Sequence, residues 1–151
     1  MTKTLSYFLN VLEKKDYSVK ELRLKGQKRE YETAEIEETL KLLQSQNLVN
    51  DTRLTEFLIE KYTKTRGFYW IQQKLKQRHL PKELIEKHLL EQNLEEIDLS
   101  FLKSKLERKY KITDWQNLDI KVKNKVLGYL SRNGFSKIYD ILNDWMMIGI
   151  D

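Results

Sequence analysis

The sequence predicts an all-α protein of three tandem three-helix, helix-turn-helix-like modules forming an elongated, curved array. Three observations predict it. Leu, Lys, Glu and Gln, all good helix formers, abound, while 151 residues include one Pro and five Gly, too few for many strand-to-strand turns. Apolar residues recur at i, i+3 and i+4 in short stretches, the pattern of one-faced helices. The sequence also repeats: displaced by 49 residues, like falls on like. Leu5, Phe8 and Leu9 fall on Leu54, Phe57 and Leu58, Leu22 on Ile71, Ile36 on Ile85 and Leu40 on Leu89. Charges keep the same register, with Lys15 on Lys64, Lys25 on Lys74, Arg29 on Arg78 and Glu37 on Glu86. A third copy follows at a displacement of 55, where Val126, Leu130 and Phe135 answer Ile71, Leu75 and Leu80. The extra length is absorbed between Lys109 and Leu118.

The modules are assigned to residues 1–50, 51–93 and 94–151. In the first, Leu5, Phe8, Leu9 and Leu12 form a stripe ending near Lys14-Lys15-Asp16. Ser18 with Glu21 three residues on is a capping box, opening a helix through about Lys28. Thr33 precedes Ile36, Leu40 and Leu43, a helix closing near Gln46-Asn47. In the second, Asp51 caps a helix with Leu54, Phe57, Leu58 and Tyr62 as its stripe. Arg66-Gly67 breaks it, a helix runs from about Phe68 to Arg78, and Pro81 sits at the first turn of the next. The third starts around Glu95, with Ile97, Phe101, Leu102 and Leu106. A helix through Val122, Val126 and Leu130 follows, then a turn at Asn133-Gly134 and a last helix with Ile138, Ile141 and Leu142. Trp115 and Trp145 are expected to pack in this module. The apolar Trp145-Met146-Met147-Ile148 tail is expected to cap it. None of these helices buries its stripe alone, so they pack as small bundles in series.

Charge follows the repeat. From Lys14 to Arg29 seven cations face only Asp16 and Glu21, whereas the charges from Glu30 to Glu38 are all acidic. The second copy repeats this, from Lys61 to Lys82 and then Glu83, Glu86 and Glu91. Acids at a helix start complement its macrodipole. Lysines in mid-helix have no such structural cause. With a formal charge of +5, they are either solvated helix faces or the mark of a polyanionic partner or an acidic protein groove.

Chemistry is not expected. Cysteine is absent, which excludes disulfides and thiolate metal sites. His79 and His88, the two histidines, belong to no metal-binding spacing, and no glycine-rich phosphate loop is present. The acids lie in solvated runs, with no pair marked for proton transfer. The chain reads as a non-enzyme without cofactor or metal. No run approaches the roughly 18 apolar residues of a membrane span, and no signal-peptide core forms, so a cytoplasmic protein is expected. No dimer stripe is evident, so a monomer is expected. The segment Arg66-Gly67-Phe68-Tyr69-Trp70-Ile71 stands out. Ile71 and Leu75 already supply the inward stripe, and three successive positions point in different directions around a helix. At least one of the aromatics therefore lies at a module boundary, packing one module on the next, or on the surface beside Arg66 and Lys74 as a contact anchor.

Several segments together resemble the RecX family. Tyr17-Ser18 with Glu21-Leu22-Arg23 is similar to the start of that family's second helix. Leu48-Val49-Asn50-Asp51 leading to Phe57, Arg66-Gly67, Ile71 and Leu75 resembles its central signature. Leu130-Ser131-Arg132-Asn133-Gly134-Phe135-Ser136 resembles its C-terminal element. The likeness spans nearly the whole chain in order. It departs at Gly26, where the family has an apolar residue, and at Glu30 and His79, which replace the Gly of the first two turns. The resemblance implies a regulatory protein, an inhibitor acting in DNA repair, recombination and the SOS response. It would bind the groove of the RecA–DNA filament, limit its extension, and so reduce ATP hydrolysis, strand exchange and repressor cleavage. Lys20, Arg23, Lys25, Arg66, Lys74, Lys76 and Arg78 are the expected contacts to RecA or to DNA phosphates, single- or double-stranded, with Tyr69 or Trp70 as anchors. The alternative is a helix-turn-helix transcription regulator, which needs one basic recognition helix and paired half-sites, whereas here basic residues recur in all three modules.

Overall fold

A computed structural model describes residues 2–92 and 97–147 and holds nine α-helices and no strand among them. They are α1 (Lys3–Leu12), α2 (Val19–Lys28), α3 (Thr33–Ser45), α4 (Asp51–Tyr62), α5 (Phe68–Gln77), α6 (Lys82–Glu91), α7 (Ser100–Tyr110), α8 (Ile120–Arg132) and α9 (Ile138–Met147). A 3-10 turn, Trp115–Asn117, precedes α8. The expected start of the third module near Glu95, its 93/94 boundary and Ile148 lie outside the described residues. The chain divides into two compact units, Met1–Leu58 with Lys74–Leu90, and Ile59–Gln73 with Glu91–Asp151, so residues of α4 and α5 belong to both.

In the first unit, one core gathers Phe8, Leu22, Ile36, Leu40, Leu43 and Val49 from α1, α2, α3 and the turn beyond. The Ser18–Glu21 capping box forms as the spacing requires, with Glu21 N–H donating to Ser18 Oγ at 3.1 Å and Ser18 N–H donating to Glu21 Oε1 at 2.9 Å. Gly26 is buried, and a Cβ there would meet Ile36 at 3.0 Å and Phe8 at 3.1 Å. The apolar residue expected of the family is thus replaced by side chains from α1 and α3, and α2 keeps its full length.

Asp51 behaves differently from its expected role. Asn50 caps α4, accepting from Arg53 N–H at 3.0 Å, while Asp51 Oδ1 accepts from Val19 N–H at 3.0 Å and so caps the first turn of α2. A helix start has four N–H groups without internal partners, and α2 satisfies two with Ser18 and Asp51. Burial raises the Asp51 carboxyl above its ordinary value of 3.8, opposed by the bond from Val19. The folded state therefore holds this proton more tightly than the unfolded chain, and this group's contribution falls as pH rises through the raised value. Asp51→Asn retains an acceptor for Val19 and is expected to remove that slope. Urea midpoints measured from pH 4 to 7 should converge toward neutrality on the parent or exceed it.

In the second unit, Leu102, Leu106, Ile112, Trp115, Val126, Tyr129, Leu130, Leu142 and Trp145 form the core. Trp115 and Trp145 pack together as expected, with ring centroids 5.2 Å apart. The extra length before α8 becomes Lys111 in the left-handed region and the 3-10 turn, capped by Asp114, with Asp119 capping α8. Two expected stripe residues lie outside. Phe57 is 55% and Phe101 56% exposed, because Leu54 with Leu58, and Leu102 with Leu106, already occupy the inward i, i+4 positions.

One turn closes five helices. Glu30, Asn47, His79, Lys111 and Gly134 each adopt positive φ after a helix. The next residue's N–H reaches back five positions each time: Tyr31 to Gly26, Leu48 to Leu43, Leu80 to Leu75, Ile112 to Glu107 and Phe135 to Leu130. This is the Schellman closure, which favours Gly because a Cβ in the left-handed region costs about 1 kcal/mol or more. Glu30 and His79 keep its geometry without a glycine.

Candidate partner-binding residues

Six of the nine expected contact residues lie in the first unit. Lys20 is exposed on α2. Arg23, on the same helix, is held by Glu37 of α3 through two hydrogen bonds, Nε to Oε1 at 2.5 Å and Nη2 to Oε2 at 3.1 Å. That pairing lowers the Glu37 carboxyl below its ordinary range and raises the Arg23 guanidinium. The basic second helix and the acidic third helix thus partly neutralise one another. Lys25 and Lys15 both lie over the Tyr17 ring, at 4.9 and 5.0 Å from its centroid. Lys76 is exposed and Lys74 half-buried, and neither forms an ion pair among the described residues.

Arg78 is engaged inside the molecule. Its Nε and Nη2 donate to the Glu21 carboxylate at 2.9 and 3.3 Å, and Nη2 also donates to the Asp16 carbonyl at 2.8 Å. The two side chains are only 14% and 15% exposed. Glu21 therefore serves the capping box and this pair at once. The link draws the end of α5 against the start of α2, bringing Lys20 and the Lys74–Lys76 segment into one neighbourhood of the first unit.

The other three residues belong to the second unit. The Arg66 guanidinium lies over the Trp70 ring at 4.6 Å, and Trp70 meets Tyr62 edge-on at 4.7 Å. Tyr69 points outward, 59% exposed, while Phe68 and Trp70 are half-buried. The backbone explains why α5 starts here. Gly67 N–H donates to Asn133 O at 2.8 Å and Tyr69 N–H to Gly134 O at 3.2 Å, so the α5 N-terminus docks on the α8–α9 turn. A Cβ on Gly67 would collide with the backbone of Gly134 and Phe135, and one on Gly134 with Trp70. The Arg-Gly break and the Arg-Asn-Gly-Phe-Ser segment, far apart in sequence, are two halves of one junction. Beside it a cavity of about 220 Å³ is lined by Arg66, Phe68, Phe135, Lys137, Asp140 and Asp144, among others.

Among known protein families, the model of the first three-helix domain of RecX matches residues 5–43. The regulatory protein RecX of Mannheimia succiniciproducens is 33% identical over 139 residues, covering 89% of this chain and 87% of that one. The chain belongs to the RecX family. The RecX of Trichlorobacter lovleyi is 30% identical over 129 residues, covering 84% of each chain. The fold agrees with the crystal structure of RecX from Lactobacillus salivarius, with a TM-score of 0.73 and 22% identity over 95% of this chain and 94% of that one. RecX relatives carry the name of regulatory proteins, not of enzymes. Among the described residues no group of three His, Cys, Asp or Glu is placed to hold a metal, and no helix is long and apolar enough to cross a membrane.

The nine expected residues all lie between Lys20 and Arg78. They omit the basic residues of α7 and α8, whose density in the sequence was the available signal.

Proposed function

We propose that this protein binds in the groove of the RecA–DNA filament and restrains its extension and activity, as a cytoplasmic, non-catalytic regulator of recombination, repair and the SOS response. Membership of the RecX family over most of the chain carries this proposal. Three modules, 1–50, 51–93 and 94–151, are proposed as its repeating units. The helix-closing turn at the corresponding ends of α2, α5 and α8, and the match of residues 5–43 to one three-helix domain, support that division. Among the contact residues, exposure favours Lys20, Lys76 and Tyr69, with Lys25, Lys74, Arg66 and Trp70 beside them. Arg23 and Arg78 act through their pairs with Glu37 and Glu21. An exposed lysine and aromatic on separate short helices suit repeated contacts along a polyanionic filament, where several weak contacts combine.

The test is the ATPase of preformed RecA filaments with added protein. The parent is expected to inhibit, and Lys20→Glu with Lys76→Glu to raise the half-inhibitory concentration by about tenfold, since two charge reversals together are worth ~1–2 kcal/mol at an interface rim. Neither residue takes part in an internal ion pair among the described residues, so the variant should keep its circular dichroism. Undiminished inhibition by a folded variant would remove these residues from the contact. Absence of inhibition by the parent would overturn the function.

A further inference from the structure

α7, α8 and the segment joining them, residues 100–132, hold nine Lys and Arg against three acids. Two of the acids are already engaged. Asp114 accepts from Gln116 N–H and Asn117 Nδ2, and Asp119 accepts from Val122 N–H, each at a helix start. The third, Glu107, lies two residues from both Lys105 and Lys109, which on an α-helix places it on a different side. Among the described residues none of the nine cations forms an ion pair. In the first unit, by contrast, Arg23, Arg53, Arg78 and Lys82 all have carboxylate partners.

The geometry concentrates this charge. Lys105 and Lys109, one turn apart on α7, both lie over the Tyr129 ring of α8, at 5.8 and 5.9 Å from its centroid. Lys103 lies over Trp115 at 5.7 Å. Tyr129 and Trp115 are buried, so neither offers a face on which a base stacks. The rings instead hold lysine ammonium groups near their faces, and Lys109 is exposed. Like charges one helical turn apart repel, and no carboxylate pairs with either lysine to offset the repulsion. An anion lying across both ammonium groups would offset it, and a chain of regularly spaced anions would do so repeatedly.

We infer that the α7–α8 face of the second unit is a nucleic-acid backbone site, in which Lys105 and Lys109, seated on Tyr129, contact phosphates without reading bases. This goes beyond the filament reading, because it requires no recombinase. Its failure would leave filament inhibition standing, and the reverse also holds.

Fluorescence anisotropy of the full chain with labelled single-stranded oligonucleotides of two unrelated sequences, between 50 and 200 mM salt, tests it. The parent is expected to bind both sequences alike. Lys105→Gln with Lys109→Gln removes both charges while keeping polar side chains on α7, and is expected to weaken both complexes equally. It should also flatten the log–log salt slope by about 1.4, because each phosphate of a single strand that is no longer neutralised removes about 0.7. Lys41→Gln with Lys87→Gln, two exposed lysines of the first unit, serves as the control and is expected to retain the parent slope. No binding by the parent overturns the inference, as does an unchanged slope in the Lys105/Lys109 variant with circular dichroism intact. Displacement by polyglutamate as effective as by oligonucleotide, at equal charge concentration, would assign the face to acidic protein and overturn it too.

Discussion

Gly67→Ala is expected to lower stability by about 3 kcal/mol, the upper part of the range for inserting atoms into a filled site. The reason is the identity of what lies in the way. The new methyl would occupy the place of the Gly134 carbonyl and the Phe135 nitrogen, which are backbone atoms with no rotamer to change. Relief requires the α5 start to withdraw from the α8–α9 turn, which stretches the bonds from Gly67 to Asn133 and from Tyr69 to Gly134. Gly134→Ala should cost at least as much, because that residue also has φ of 81° and its Cβ would strike Trp70. Gly26→Ala is the informative contrast. Its neighbours are the side chains of Ile36 and Phe8 at 3.0 and 3.1 Å, which can shift, and helix propensity gains about 1 kcal/mol. A loss below half that of Gly67→Ala is expected. Urea unfolding followed by circular dichroism ranks the three, and a parent-like midpoint for Gly67→Ala would mean the two backbones do not cross there.

Arg78→Met should destabilise by about 2–3 kcal/mol. Methionine keeps much of the apolar stem but leaves the Glu21 carboxylate, 15% exposed, without its guanidinium, and leaves the Asp16 carbonyl without a donor. Glu21→Gln in the same chain is expected to recover most of the deficit, since glutamine still closes the capping box and no unpaired charge remains. The coupling energy from the double-mutant cycle is the decisive quantity. Additive effects would show that the two residues do not act as a pair.

These two sites also show what the sequence disclosed. Periodicity placed the helices, and local spacing foretold the Ser18–Glu21 box and the Trp115–Trp145 contact, because each depends on short separations or on large apolar groups with one place to go. Partners at long separation were hidden. The repeat aligns Arg29 with Arg78, yet Arg29 lies on the Tyr7 ring at 3.9 Å while Arg78 grips Glu21 across 57 positions. Equal registers share a backbone, not a neighbour. Gly67 was legible as a helix break but not as a crossing, since nothing along the chain points to Gly134. Asp51 looked like a cap for its own helix because the alphabet of caps is local, and the N–H it accepts from, on Val19, lies 32 residues earlier. The basic residues of α2 and α5 were visible as charges. Which were already neutralised depended on α3 and on Glu21, and only the fold decides that.

The Asp51 cap bears on how the chain matures. A ribosome delivers residues 1–45 before it delivers Asp51, and Asp51 well before Arg78. The first three helices therefore emerge with the Val19 amide still waiting on water and the Glu21 carboxylate holding the Ser18 N–H but not yet Arg78. Completion of α2 is tied to the appearance of later sequence, so a nascent or truncated N-terminal fragment ending before residue 51 should fray at that end and be cut there by proteases that spare the finished protein.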